Sequence, residues 1–185
     1  MRMTKAVYLF VDNSNVWIEG KRVAGKIFGE DKRDAWRLDF GKLLRFVGSG
    51  RTVYSARLYG SKPPPNDSVW AKAEQRGFVP TILERNARNK EKGVDAELIM
   101  DVMETLTETP TKGILAIAAG DGDYHTVPKR AQKYGWDLEF YFWGHAAQSV
   151  RTAVPARFVD LDPHIEKIGR WAVGPSDPDL EVVAY

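Results

Sequence analysis

Short apolar runs alternating with helix-period segments constrain this chain more than any other feature. The runs fall near 6–11, 52–59, 78–84, 113–119, 137–142 and 157–161 and are rich in Val, Ile, Tyr and Phe. Between them the stretches 16–26, 39–47, 68–76, 94–108, 126–134 and 146–153 read as helices. Such alternation predicts βαβ units and an α/β fold with a parallel sheet. The punctuation agrees with these boundaries. Asp39 stands where an N-cap would, Gly48-Ser49-Gly50 stops the helix that follows it, and Gly77 and Gly135 each end a helix just before a strand.

At 185 residues and 43% hydrophobic, the chain has material for one well-buried core rather than two. One domain over 1–171 is expected, with a mobile tail at 172–185, where Gly174-Pro175-Ser176-Asp177-Pro178 lacks periodicity. The 27 basic and 25 acidic side chains leave a net charge of +2, so any basic surface must be local. With no cysteine there is no disulfide, thiolate zinc site or cysteine nucleophile, and three scattered histidines disfavour a histidine-rich metal site. The apolar run after Met1-Arg2-Met3-Thr4-Lys5 ends at Asp12, too short for a signal core or a membrane span. A soluble cytoplasmic protein without membrane contact is expected.

Four aspartates occupy the ends of these elements. Asp12 closes the first strand, Asp95 opens the 94–108 helix, and Asp121 and Asp123 follow the 113–119 strand as Gly120-Asp121-Gly122-Asp123. In an open parallel sheet, residues just past the carboxyl ends of the strands converge on one crevice. Carboxylates gathered there repel one another unless a cation lies between them, and hard oxygen ligands suit Mg²⁺ or Mn²⁺. Each aspartate also has a plainer explanation. Asp12 and Asn15 can cap the following helix, Asp95 can interact with a helix dipole, and Asp-Gly pairs mark ordinary turns. At about 100° per residue, Asp95 projects near the middle of the apolar stripe of Val94, Leu98, Ile99, Val102, Met103 and Leu106. Asp101 falls about 110° away, at the margin of a solvated face, where it could support the site. Asn15 could do so by bonding Asp12.

Arg85, Arg88, Lys90 and Lys92 crowd the loop leading to Asp95, and basic groups beside metal carboxylates are what a nucleic-acid backbone requires. Arg88 and Lys92 are the candidate substrate contacts. Lys129, Arg130 and Lys133, with Lys62 and Trp70, are candidate extensions of the path, although sequence alone does not put them on one face. Trp17 is expected to pack rather than stack a base. The phosphate cradles of P-loop and dinucleotide-binding proteins and the Gly-x-Ser-x-Gly elbow are missing from the sequence. His125, at a helix start, receives no role.

In ordered combination these residues resemble the NYN domains of the PIN-like nuclease superfamily, specifically the LabA-like branch. The resemblance is carried by Val11-Asp12-Asn13-Ser14-Asn15, by Lys92-Gly93-Val94-Asp95 with Leu98 and Asp101, and by Gly120-Asp121-Gly122-Asp123-Tyr124. Ser149 and the stretch 153–160 with Phe158 look like the family's closing segment, so the likeness runs from about Lys5 to Leu161. It implies a three-layer α/β/α sandwich with a mainly parallel central sheet. It also implies a Mg²⁺- or Mn²⁺-dependent ribonuclease site built from Asp12, Asp95, Asp121 and Asp123, leaving a 5′-phosphate and a 3′-hydroxyl. LabA-like sequences commonly carry serine before the Gly-Asp of the acidic loop, whereas this chain has Ala119.

The expected function is therefore hydrolysis of RNA phosphodiester bonds, with single-stranded or structured RNA as partner and a homodimer as a further expectation. The rival is a catalytically weak or inactive RNA-binding or regulatory module of the same fold. Ala119 and the near-neutral charge favour the rival, and the clustered acids oppose it, since a binder of polyanions gains nothing from them. A toprim-like or phosphatase-like metal enzyme is disfavoured because the first strand lacks the acidic residues each would need.

Overall fold

The computed structural model describes residues 5–61, 68–85 and 92–172. The chain runs β1 (Val7–Asp12), α1 (Asn13–Phe28), α2 (Glu30–Arg33), β2 (Trp36–Leu38), α3 (Phe40–Gly48), β3 (Val53–Ser61), α4 (Ser68–Gln75) and β4 (Val79–Leu83). It continues through α5 (Val94–Glu108), β5 (Ile114–Ala118), α6 (Val127–Lys133), β6 (Asp137–Phe142), α7 (Gln148–Arg151), β7 (Ala156–Asp160), α8 (Ile165–Ile168) and β8 (Gly169–Trp171). Short 3-10 turns at Gly122–Thr126 and Asp162–His164 lead into α6 and α8.

The central sheet has six strands in the order β4-β3-β1-β5-β6-β7, and every pair is parallel. Strand periodicity sends alternate side chains to opposite layers. Val7, Leu9 and Val11 join the core formed with α1, α3, α4 and α8, whereas Tyr8 and Phe10 join the one formed with α5, α6 and α7. Because helices cover both faces, β1 and β5 read as unbroken apolar runs. The result is the expected α/β fold with helices on both faces of the sheet.

The six long strands lie within about two residues of their expected bounds, and α5 occupies the expected 94–108. Asp39 caps α3, its Oδ1 accepting from the Lys42 N–H at 2.8 Å. The second, antiparallel pair β2–β8 is a feature the sequence did not announce. Three-residue strands are too short to display a period, and these partners lie more than 130 positions apart in the chain. Trp36 anchors the pair, meeting Trp143 edge-on at 5.7 Å between ring centroids. Gly20 and Gly169 make room for it, since a Cβ at either would overlap the indole. The helix expected over 146–153 shortens to α7, and α1 begins at Asn13 rather than near 16 because Asp12 caps it. Trp70 is buried in the core and so is not a base-stacking surface. Trp17 packs, half-buried, against the same core, with Lys21 Nζ 5.1 Å from its ring centre. Lys62, and all of the tail expected from 172 except Ala172, lie outside the described residues. No described helix is long and apolar enough to cross a membrane.

One buried ion pair ties the first helical layer to the sheet. Arg51 grips Glu139 of β6 with both Nη groups at 2.9 Å and donates to the Val47 and Gly48 carbonyls at the end of α3. The Tyr141 hydroxyl donates to the same carboxylate at 2.6 Å. Burial acts to raise the Glu139 pKa, but hydrogen bonds from Arg51 and Tyr141 outweigh it and hold the carboxyl below its ordinary range. Arg51→Ala would leave that carboxylate with only the Tyr141 hydroxyl and Arg157, 3.8 Å away, and should destabilise the fold by about 2 kcal/mol in urea unfolding at neutral pH. A depressed folded pKa gives stability that is present above the unfolded value and is lost as pH falls through the folded value. The stability gap between the wild type and Glu139→Gln should accordingly narrow on acidification below about pH 4.3.

Candidate carboxylate site at the switch point of the sheet

From β1 the chain builds β3 and β4 to one side, then returns to build β5, β6 and β7 on the other. The reversal falls between β1 and β5. In open α/β sheets the carboxyl ends flanking such a reversal form the binding crevice. Asp12 ends β1, and the loop after β5 carries Asp121 and Asp123.

Parity fixes the direction of Asp12. Two residues beyond Phe10, it falls on the face covered by α5 and α6. It is only 6% exposed. Its Oδ1 accepts from the Asn15 backbone N–H at 3.0 Å, and its Oδ2 accepts from the Tyr124 hydroxyl at 3.4 Å. Asp12 is thus a helix cap and, with its other oxygen, a member of the carboxylate group. Asn15 turns its side chain toward the second strand end, where its Oδ1 accepts from the Gly120 N–H at 3.3 Å. The Gly120 carbonyl accepts from the Ala147 N–H at 2.9 Å. Glycine is required at 120 because a Cβ would overlap the Phe142 ring. Ala119 is fully buried on the α5 and α6 side of the sheet.

The carboxylates converge electrostatically on Tyr124. Burial raises the pKa of its phenol first, and the charges of Asp12, Asp95 and Asp121 raise it further. Asp123 is also raised, chiefly by a hydrogen bond with Asp95 and then by the charge of Asp121. Two carboxyl groups can hydrogen-bond only if one holds a proton, so this contact is a sign of crowded negative charge. Asp121 caps the 3-10 turn, its Oδ1 accepting from the Asp123 N–H at 3.3 Å. Asp95 reaches the cluster because α5 starts at Val94, after Gly93 turns the chain with φ of 80°.

All-oxygen donors of this kind fit a hard divalent cation. As placed, however, no group of three Asp, Glu, His or Cys side chains among the described residues is arranged to hold one. Asp12 is held by the Asn15 N–H and the Tyr124 hydroxyl, whereas Asp121 and Asp123 are exposed, so closing a ligand set would fall to those two side chains.

The other candidates separate. Asp101 turns to β3, accepting from Arg57 Nη1 at 2.8 Å and the Tyr59 hydroxyl at 2.6 Å. Lys92 is exposed two residues ahead of α5, and Arg88 lies outside the described residues. Arg85 donates from Nε to Ser61 Oγ at 3.1 Å. Tyr124, given no role by the sequence, donates to Asp12 and feels the charges of Asp95 and Asp121. Its only sequence signal was its place directly after Asp121-Gly122-Asp123. His125 also lies on the acidic loop, with Nδ1 2.9 Å from the Gly122 carbonyl. Since a carbonyl can only accept, Nδ1 carries the proton there.

A crystal structure of a protein of unknown function from Vibrio parahaemolyticus superposes with a TM-score of 0.65 at 16% identity, covering 88% of this chain and 97% of that one. At that identity the likeness speaks for the fold alone. No curated protein matches. The NYN domain family matches residues 6–162, a span that begins before β1 and ends beyond β7 and takes in all four aspartates. On that match the chain belongs to the NYN domain family, within the PIN-like nuclease superfamily.

Proposed function

We propose that this protein is a Mg²⁺- or Mn²⁺-dependent ribonuclease whose site is formed by Asp12, Asp95, Asp121 and Asp123. What supports this reading is the switch point of the sheet, where Asp12 ends β1 and accepts from the Tyr124 hydroxyl and the loop after β5 carries Asp121 and Asp123, with the charges of Asp12, Asp95 and Asp121 all raising the Tyr124 phenol and Asp95 raising Asp123. A protein that only bound polyanions would gain nothing from carboxylates crowded in its crevice. When bound, a divalent cation supplies activation of water and stabilisation of the charge developing on the scissile phosphate. The chain's own residues do the rest. Asp12, held by Asn15 and Tyr124, gives a rigid carboxylate on the floor of the crevice. Asn15 joins the ends of β1 and β5 so that the acidic loop keeps its distance from Asp12. Lys92, exposed three positions before Asp95 in the chain, would meet a phosphate of the incoming strand. The products would carry a 5′-phosphate and a 3′-hydroxyl.

The second reading, an RNA-binding module with weak or no catalysis, draws on the lack of a ready three-ligand group among the described residues and on Ala119. Cleavage of labelled single-stranded RNA separates the two. Chelation should abolish cleavage and added Mg²⁺ or Mn²⁺ should restore it, because repelling carboxylates need a cation between them. Cleavage at full rate in chelator, or none with either metal, would rule out the nuclease reading.

Asp121→Asn and Asp123→Asn should each lower turnover by roughly 10²-fold, about 2.7 kcal/mol of barrier, while RNA affinity holds or rises. Tyr124→Phe removes the hydroxyl that orients Asp12 without opening a cavity. Turnover should fall by about tenfold, with stability changed by only about 1 kcal/mol, as measured by a cleavage time course beside thermal unfolding.

A further inference from the structure

A groove beside the acidic loop carries positive charge that nothing described neutralises. It is lined by His125, Thr126, Lys129, Arg130 and Lys133, all exposed, from the 3-10 turn and α6. Lys129 and Arg130 have no ion-pair partner among the described residues, and Lys133 has only the Tyr134 ring, 5.5 Å from its Nζ. Surface lysines usually mean no more than solubility. Here Thr126 and Arg130, and Lys129 and Lys133, are four residues apart, which aligns them on neighbouring rows of one helix face. Cations one turn apart are separated by about 6 Å along the axis, a spacing that suits a chain of anions better than one small anion.

The groove begins where the carboxylates end. His125 is held to the Gly122 carbonyl at 2.9 Å, so its first lining residue is bonded to the acidic loop itself. A strand lying over Asp121 and Asp123 would need only to continue along α6 to exchange repulsion for attraction. On the ribonuclease reading given above, we propose that the α6 groove is a backbone-binding track, holding the phosphates of a single-stranded RNA on one side of the scissile bond. Lys129, Arg130 and Lys133 contact the phosphates without reading sequence, since cations paired to phosphate position a strand and base edges specify it.

The test measures binding apart from cleavage, with fluorescein-labelled oligouridine in chelator across a salt series. The wild type is compared with a triple variant, Lys129→Ala, Arg130→Ala and Lys133→Ala. A charge-keeping variant, Lys129→Arg, Arg130→Lys and Lys133→Arg, is the control. These side chains are exposed, so thermal unfolding should not change. The triple variant should bind at least about tenfold more weakly at low salt, with the slope of log affinity against log salt falling by about 2, or about 0.7 for each lost phosphate contact. The charge-keeping variant should bind like the wild type. A very short oligouridine, covering the acidic loop alone, should not distinguish the three proteins.

Unchanged affinity and slope in the triple variant would overturn the track, as would equal losses for short and long strands or no measurable binding by the wild type. Competition by inorganic phosphate as strong as by an equal phosphate concentration of oligouridine would mark a small-anion site and overturn it too. The outcomes also separate this proposal from the nuclease reading. Binding that depends on α6, without cleavage under any metal, keeps the track and removes the nuclease; metal-dependent cleavage with α6-independent binding does the reverse.

Discussion

β1 lies between β3 and β5 with both faces buried, and the chain must leave that strand through a polar residue with its hydrogen bonds met. Asp12 meets the demand with one oxygen on the first turn of α1 and the other on the Tyr124 hydroxyl. An unpaired carboxylate at 6% exposure would be costly, so these bonds stabilise the end of β1 as well as shape a site. Much else follows from that exit. The start of α1 sets Asn15, Asn15 holds Gly120, and Gly120 can lie against Phe142 only because it lacks a side chain. The ends of β1 and β5 are thereby joined by polar contacts, with the Phe142 ring of β6 packed against them.

Two aspartates of α5 show how position on a helix decides a carboxylate's partners. Asp101 sits in the second turn and is neutralised by Arg57 and bonded by Tyr59, a contact that fastens α5 to β3. Asp95 sits in the first turn, away from those partners, and meets Asp123 instead. The same residue type thus has a cation as partner in one case and like charges in the other. Crowded carboxylates raise the free energy of the charged crevice, and a counter-charge would lower it. In the basic groove of α6 the imbalance has the opposite sign.

The elements were legible where their period was long enough to be read. The apolar stripe of α5 and the unbroken apolar run of β5 match the structure because fifteen residues suffice to show a period of 3.6 and a strand covered on both faces is apolar throughout. β2 and β8 were not legible, being three residues each and paired across nearly the whole described chain. The start of α1 was misplaced by three residues because Asp12 and Asn15 are both good caps. For the site, Asp12, Asp95, Asp121 and Asp123 were visible as acids at element ends. Tyr124 was not singled out, since an aromatic residue after a strand is usually only core.

What the sequence determined by itself is the order of the elements and the chemistry carried at their ends. Local periodicity, caps and turn glycines are encoded over a few residues, and the order of motifs suffices to indicate the NYN domain. Tertiary structure alone decided which charges meet. Asp95 and Asp101 are six residues apart on one helix, yet one joins the crowded acids and the other an arginine of β3. Lys129, Arg130 and Lys133 become one groove with His125 only when the 3-10 turn fixes how α6 leaves the acidic loop. Electrostatic interaction depends on distance through space, and distances between elements are set by packing across the sheet.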